Sequence, residues 1–272
     1  MVTLAAASWG TWSLFLRPTG LPSTVTSPIL FAVMGMVTLP FTLNKPRVRW
    51  DRETVALLFA NVAFDALNIL TFFGALSTTT VAIAVLTHYV APIVIALAAP
   101  RIDGVTSRGV APATAVALGG LVVVLEPWNT PAEGALLGAG LGLVSAVCYA
   151  GNVFVVRRLA HRIGATRAIS YHSLIGAALL APFAITHASD VTAGDFALLV
   201  AGAVTIGAIS GIVFAVGLLR IGSARAAVLS FAEPLVAVGV GALVWEEPLH
   251  PLAIVGGAMV LGAGIHVARK AR

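Results

Sequence analysis

Four residues raise the first chemical expectation. Asn61, Asp65, Asn68 and Phe72 fall at i, i+4, i+7 and i+11 within a long apolar run, a spacing that puts them on one face of a helix. Asparagine offers donors and acceptors, and aspartate offers a charge or a titratable proton. Such a stripe either faces a polar solute or forms a hydrogen-bonded seam against a neighbouring helix. The next apolar run carries Thr87, His88 and Tyr89, then Pro92. A histidine there can titrate near neutral pH or donate to a backbone carbonyl freed by the proline. If Asp65 and His88 face each other they form a proton-sensitive pair. Glu233, directly before Pro234, reads either as part of a kink, accepting hydrogen bonds from a neighbouring helix, or as a third group able to bind a coupling proton. Trp9 and Tyr149, with Trp12 and Asn152 a turn away, either line a cavity or pack.

Ionisable side chains at bilayer depth cost about 2.5–3.5 kcal/mol at a helix centre, so each is a candidate for function. Other polar residues read more plainly. Tyr171 and His172 lie near one end of their run and read as gate or interface residues. His161, His187 and His250 read as solvated, and His266 as snorkelling. No HExxH, Walker or GxSxG pattern is present, so neither an enzyme nor an ATPase is expected. The single cysteine, Cys148, rules out an intramolecular disulfide and a cysteine-rich metal site and reads as a packing residue. No metal or cofactor is expected.

The elements that must hold these residues follow from composition. Of 272 residues, 59% are hydrophobic and only 10% charged, with a mean hydropathy of +1.00. Soluble domains carry about 25% charged residues. A chain this apolar needs lipid as its solvent, and the useful unit becomes a helix of about 20 apolar residues. Prolines, glycines and charges divide it into ten spans, at about 2–17, 28–43, 54–74, 79–99, 109–126, 134–156, 167–187, 196–219, 223–245 and 250–268. The first span would be about 24 Å long against a hydrocarbon layer of about 30 Å. It is either shortened by a late start or tolerates mismatch.

Net charge is +5, but the cations sit in short gaps between apolar runs rather than on one basic face, which argues against nucleic acid. Their distribution sets orientation. Lys45, Arg47, Arg49, Arg52, Arg101, Arg108, Arg157, Arg158, Arg162, Arg167, Arg220, Arg225, Arg269, Lys270 and Arg272 fall on one side, against Arg17 alone on the other. Glu126, Glu133, Asp190, Asp195, Glu246 and Glu247 lie on the arginine-poor side. A multi-pass inner-membrane protein with both termini cytoplasmic is expected.

The chain also matches itself at an offset of 140 to 143 residues. AAASWGTWSLFLRP lies over SAVCYAGNVFVVRR, placing Trp9 on Tyr149 and Arg17 on Arg157. AVLTHYVAPIVIAL lies over AVLSFAEPLVAVGV, placing Pro92 on Pro234. The expected fold is therefore an all-α membrane protein of about ten transmembrane helices, built as two five-helix repeats, 1–130 and 131–272. Five is odd, so the second repeat is inverted, and the loop charges of corresponding gaps reverse accordingly. Inverted repeats are a frequent transporter architecture, with solute held near the midplane. Pro92 and Pro234 are expected to kink equivalent spans and let the halves rock. Gly134, Gly138 and Gly142, and Gly207 with Gly211, are spaced for close helix packing.

At this level the whole chain resembles the drug/metabolite transporter superfamily, in its ten-helix EamA-like branch. The opening Trp9, Gly10 and Phe15 resemble the start of such repeats. The stretch GLLRIGSARAAVLSFAEPLVAVGVGALVWEEPLHPLAIVGGAMVLGAGI, with Glu233–Pro234 and the acidic turn Glu246–Glu247, resembles the end of the second. The first half departs from the pattern: SPILF around Leu30 stands where many such repeats carry an arginine, so substrate rules tied to that arginine do not transfer. The resemblance implies a secondary transporter of metabolites, amino acids or drug-like molecules, often an exporter. Trp9, Asn61, Asp65, Asn68, His88 and Tyr149 are the expected solute-binding residues, and Asp65, His88 and Glu233 the expected proton-coupling groups. The asparagines favour a polar metabolite; Asp65 and Trp9 also permit a multidrug or toxic-cation exporter. The partners expected are a small-molecule solute and the lipid bilayer, with a homo-oligomer left open.

Overall fold

A computed structural model describes residues 1–104, 109–129, 134–184, 189–246 and 251–269. The expectations for Arg108, Glu133, His187, Glu247, His250, Lys270 and Arg272 fall outside the described residues. Among those described, the regular structure is entirely helical. The helices are α1 (Val2–Trp9), α2 (Ser13–Leu16), α3 (Ser23–Thr38), α4 (Pro40–Leu43), α5 (Arg52–Thr78), α6 (Val81–His88), α7 (Ala91–Ile102), α8 (Val110–Leu125), α9 (Ala135–Ile163), α10 (Ala165–Ala184), α11 (Ala193–Gly202), α12 (Ser210–Ile221), α13 (Ser223–Leu229), α14 (Ala232–Val244) and α15 (Pro251–Arg269). Six stretches are long and apolar enough to cross a bilayer: Arg52–Thr78, Ile83–Ile102, Ala135–Ile163, Ala193–Ile221, Ser223–Val244 and Pro251–Arg269. Ser23–Thr38 and Val110–Leu125 are shorter apolar helices. With α1–α2 and α10 the order fits ten crossings. Leu136, Leu243 and Leu4 stand 91%, 87% and 74% exposed, an outer surface made for lipid rather than water.

Local chemistry sets where helices begin and end. Asp51 caps α5 by accepting the Thr54 N–H at 2.8 Å. Thr192 and Asp195 form a reciprocal capping box on α11. Gly164 turns α9 into α10 at φ +87°, a conformation that suits glycine. Pro92 cannot donate, and its ring excludes the carbonyl four residues back. Accordingly α6 stops at His88 and α7 starts at Ala91. Pro234 does the same between α13 and α14, so the two corresponding spans break at corresponding places.

Three boundaries differ from the sequence expectation. The first span is interrupted between Trp9 and Ser13. A side chain at Gly10 would collide with the Glu233 carbonyl and with Val236, so this span lies directly on α14. The eighth span contains a π-helical segment, Ala203–Ile209, between α11 and α12. Finally α9 runs seven residues past the expected end, to Ile163. It is 29 residues long, about 43 Å at helical rise, so Arg157, Arg158, His161 and Arg162 ride on helix beyond the hydrocarbon layer instead of in a loop.

The packing repeats with the halves exchanged. Helix α3 lies against α10 and α8 against α15, each helix on its own counterpart. Helix α5 packs on α9 as α12 packs on α1, and α6 and α7 pack on α9 as α14 packs on α1. This is what a two-fold relation between inverted halves demands. At the α8–α15 crossing Gly120 and Gly256 meet so closely that a Cβ on either would strike the other's carbonyl. Tyr89 and Phe231, corresponding residues at the Pro92–Pro234 offset, stack at 5.5 Å where the broken spans meet.

Candidate functional site

The polar face of α5 meets a polar face of α9. Ser145, Tyr149 and Asn152 occupy i, i+4 and i+7 on α9, and the two antiparallel rows interlock. Asn61 Nδ2 donates to Asn152 Oδ1 at 2.5 Å. Asn152 Nδ2 donates to Asp65 Oδ1 at 3.2 Å. Ser145 Oγ donates to Asn68 Oδ1 at 2.8 Å. The stripe forms the hydrogen-bonded seam that the spacing allowed. Asn61, 1% exposed, is seam. Asp65, Asn68, Tyr149 and Asn152 are half-buried.

The partners of Asp65 and His88 correct the pairing expected from shared depth. Asp65 does not hydrogen-bond His88. Its Oδ2 accepts from His172 Nε2 on α10 at 2.6 Å, and both side chains are well covered, 18% and 7% exposed. The His172 ring also takes Phe31 of α3 edge-on at 5.4 Å, and its Nδ1 lies 3.4 Å from Ser173 Oγ. Sequence reasoning placed His172 at a span end. It stands eighth in a 20-residue helix, near the middle. Its neighbour Tyr171 stacks on Trp50 at 5.7 Å.

His88 belongs to a second cluster. Its Nδ1 is 2.8 Å from Ser145 Oγ. Ser145 has one hydroxyl proton, and with Asn68 Oδ1 as its acceptor His88 must donate from Nδ1, leaving Nε2 as an acceptor. Phe72, Tyr89 and Tyr149 surround the ring at 4.6, 5.3 and 5.4 Å. Tyr89 continues to the ring of Phe231 at 5.5 Å, two residues before Glu233. Glu233 sits half-buried at the break of the ninth span, beside the ring contact that joins it to the break of the fourth.

Trp9 stands apart from both clusters. Its indole N–H donates to the Ile206 carbonyl at 3.2 Å, and its ring tilts on Phe214 at 4.8 Å. The acceptor lies in the π-helical segment, whose widened turn frees carbonyls. The glycine rows pack closely as expected: side chains at Gly138 and Gly142 would collide with Thr79 and Thr87, and one at Gly207 with Met34.

The two ends of the molecule are closed differently. At the arginine-rich end Arg157 pairs with Asp103 at 3.1 Å, and Asp103 also accepts the Ser223 N–H at 3.2 Å. Arg158 donates to the Ile102 carbonyl. Arg162 bonds Asp51, Glu53 and Thr54, and Arg167 bonds the carbonyls of Thr42 and Lys45. Thr54 and Arg162 together hold the Asp51 carboxyl down at about 2. At the other end Arg17 lies 4.8 Å over the Trp245 ring, and Trp245 donates to Ser13. A cavity of about 240 Å³ opens between α3, α5 and α10, lined by Ser23, Ser27, Phe73, Ser77 and Phe183 among others. None of the expected site residues lines it.

Among the described residues no cluster of three or more His, Cys, Asp or Glu could hold a metal ion.

Known proteins share this sequence and shape. Residues 136–268 match the EamA-like transporter family. An uncharacterized transporter of Archaeoglobus fulgidus is 29% identical over 273 residues, 98% of this chain and 94% of its own. The uncharacterized transporter YcbK of Bacillus subtilis is 30% identical over 149 residues, 50% of this chain and 47% of its own. One crystal structure superposes with a TM-score of 0.80 at 20% identity, covering 98% of this chain and 94% of that one. That likeness extends the shared fold to both halves. Residues 136–268 carry an EamA-like transporter family domain, and the whole chain is similar to a protein named as a transporter, consistent with the drug/metabolite transporter superfamily.

Proposed function

We propose that this protein is a secondary transporter that exports a small polar metabolite, an amino acid or a molecule of similar size, by alternating access between its inverted halves, residues 1–130 and 131–272. One observation carries the reading. The half-buried polar groups Asp65, Asn68, His88, Tyr149 and Asn152 converge from both halves, beside the breaks of the fourth and ninth spans. Polar groups kept at such depth are costly unless they serve a solute or each other. Here they bond one another and are still only half-buried. His88 Nε2 and Tyr149 offer an acceptor and an aromatic wall. Asn61 supports Asn152 rather than touching solute, and Trp9 holds the first span to the π-helical segment beside it. Pro92 and Pro234 supply the two bends about which the halves would rock. The clasp at the arginine-rich end supports a state closed to the cytoplasm, in an inner-membrane topology with both termini inside.

A second reading has its own observation. Glu233 stands among Tyr89, Tyr149 and Phe231, and a carboxylate with aromatic faces suits an organic cation. The test for both is flux in proteoliposomes over a panel of labelled amino acids, sugars and quaternary ammonium ions. Saturable flux of a polar solute, lost in His88→Ala, supports the first. Flux confined to the cations supports the second, and protein-independent leak for every solute refutes both.

A further inference from the structure

Of the three groups expected to bind a proton, Asp65 hydrogen-bonds a second titratable side chain, His172. The pair joins α5 of the first half to α10 of the second. Asn152 closes the other carboxylate oxygen, and Asn61 fixes Asn152. So Asp65 is held in place by two residues of the opposite half. We propose that Asp65 and His172 form the coupling-ion site of this transporter, with a proton as the ligand and His172 Nδ1 as its seat. This rests on the transport function proposed above and assigns its driving ion.

The chemistry follows from counting protons. With one proton on the imidazole, His172 donates Nε2–H to Asp65 and the pair carries a charge of −1. Its Nδ1 then holds a lone pair, with Ser173 Oγ 3.4 Å away. A second proton added from water at Nδ1 leaves the Nε2–H bond intact and makes the pair neutral, Asp⁻ against imidazolium. A net charge in the low-dielectric interior is penalised far more than a well-bonded neutral pair. The loaded pair therefore passes through the occluded state more readily than the empty one. Because the pair bridges the halves, the proton acts on the interface that must rearrange.

The surroundings leave this assignment to the pair itself. From α9 the facing groups are Asn152 and Tyr149, the latter near enough to feel the Asp65 charge. Helix α3 presents the Phe31 ring and contains no ionisable residue. On α10 itself Arg167 bonds the carbonyls of Thr42 and Lys45, and α12 carries no ionisable residue before Arg220 in its last turn. His88 is bonded to a serine rather than to a carboxylate.

The test uses the full chain in liposomes with a labelled mixture of L-amino acids as the probe. His172→Gln keeps a donor for Asp65 but cannot take the second proton. It should reduce accumulation driven by an imposed pH gradient at least tenfold while counterflow without a gradient stays within threefold of wild type. His161→Gln, an exposed histidine in the last turn of α9 outside both clusters, should keep the gradient response. Gradient-driven accumulation that survives His172→Gln, or wild-type counterflow indifferent to the gradient, overturns the proposal. If no amino acid moves at all, the transport reading fails for that class, and the proton site is still decided by 15N NMR of labelled histidine in lipid. The resonance lost in His172→Gln should show both singly and doubly protonated imidazole over a series from pH 9 to 5. A His172 ring locked in one protonation state across that range overturns the site.

Discussion

Removing the Asp103 carboxylate should destabilise the protein by about 3 kcal/mol, the low end of what losing one partner of a buried ion pair costs. The structure explains both the size and the choice of the low end. The Asp103 side chain is 3% exposed and binds the Arg157 guanidinium at 3.1 Å, and Arg157 itself is 18% exposed. Asp103 is also the acceptor for the Ser223 N–H, so Asp103→Ala strands a donor at the start of α13 as well as a cation. An orphaned buried donor alone costs about 1–3 kcal/mol. Arg157 lies past the hydrocarbon layer on the extension of α9, where water can reach its exposed edge and recover part of the loss. The assay is denaturant unfolding in detergent micelles of Asp103→Ala, Arg157→Met and the double variant. The double variant removes both charges, so it should be more stable than the sum of the single losses predicts, by about 1.5 kcal/mol or more. Single losses that add to within about 0.5 kcal/mol would refute the pairing.

Other consequences are equally open to measurement. Gly120→Ala puts a methyl group into the Gly256 carbonyl and should cost about 1–3 kcal/mol as overpacking, read in the same unfolding assay; a neutral result would mean that α8 and α15 are not in contact there. Trp9→Phe removes the donor to Ile206 and should cost about 1 kcal/mol, with a shift of the indole fluorescence that identifies the residue. Asp51 is held anionic first by the Thr54 N–H and hydroxyl and then by Arg162, at about 2 against an ordinary 3.8. A depressed carboxyl contributes stability that is complete above the unfolded value and is lost as pH falls through the folded one. Helix content followed by circular dichroism should therefore drop between about pH 4 and pH 2 in wild type, and less steeply in Asp51→Asn.

Much of the scaffold was legible because lipid imposes periodicity and length on every span. Breakers, cation asymmetry and the steady internal offset each locate the same boundaries independently, and the prolines locate the breaks between α6 and α7 and between α13 and α14. What escaped was decided by neighbours. The break at Gly10 arises from the approach of α14, and nothing in a run of alanine, serine and tryptophan announces it. The π-helical turn before Ser210 is an insertion of register that apolar composition does not mark. Helical spacing identified the face bearing Asn61, Asp65 and Asn68, but could not say what that face meets. Asn152 was noticed only as a neighbour of Tyr149; its i+7 spacing from Ser145 was the available sign of a matching stripe on α9. The basic cluster before His172 reads as loop in the sequence, which puts His172 near a span end. Once α9 absorbs those arginines into helix, α10 starts at Ala165 and His172 moves inward to Asp65.

The central claim is that a polar solute crosses where the stripes of α5 and α9 meet α6. Counterflow of labelled L-amino acids in proteoliposomes tests it most directly, comparing wild type with His88→Ala and Asn68→Ala. The account predicts wild-type exchange well above protein-free liposomes, and at least a tenfold fall in both variants with folded protein of normal helix content. Exchange in the variants equal to wild type would contradict it.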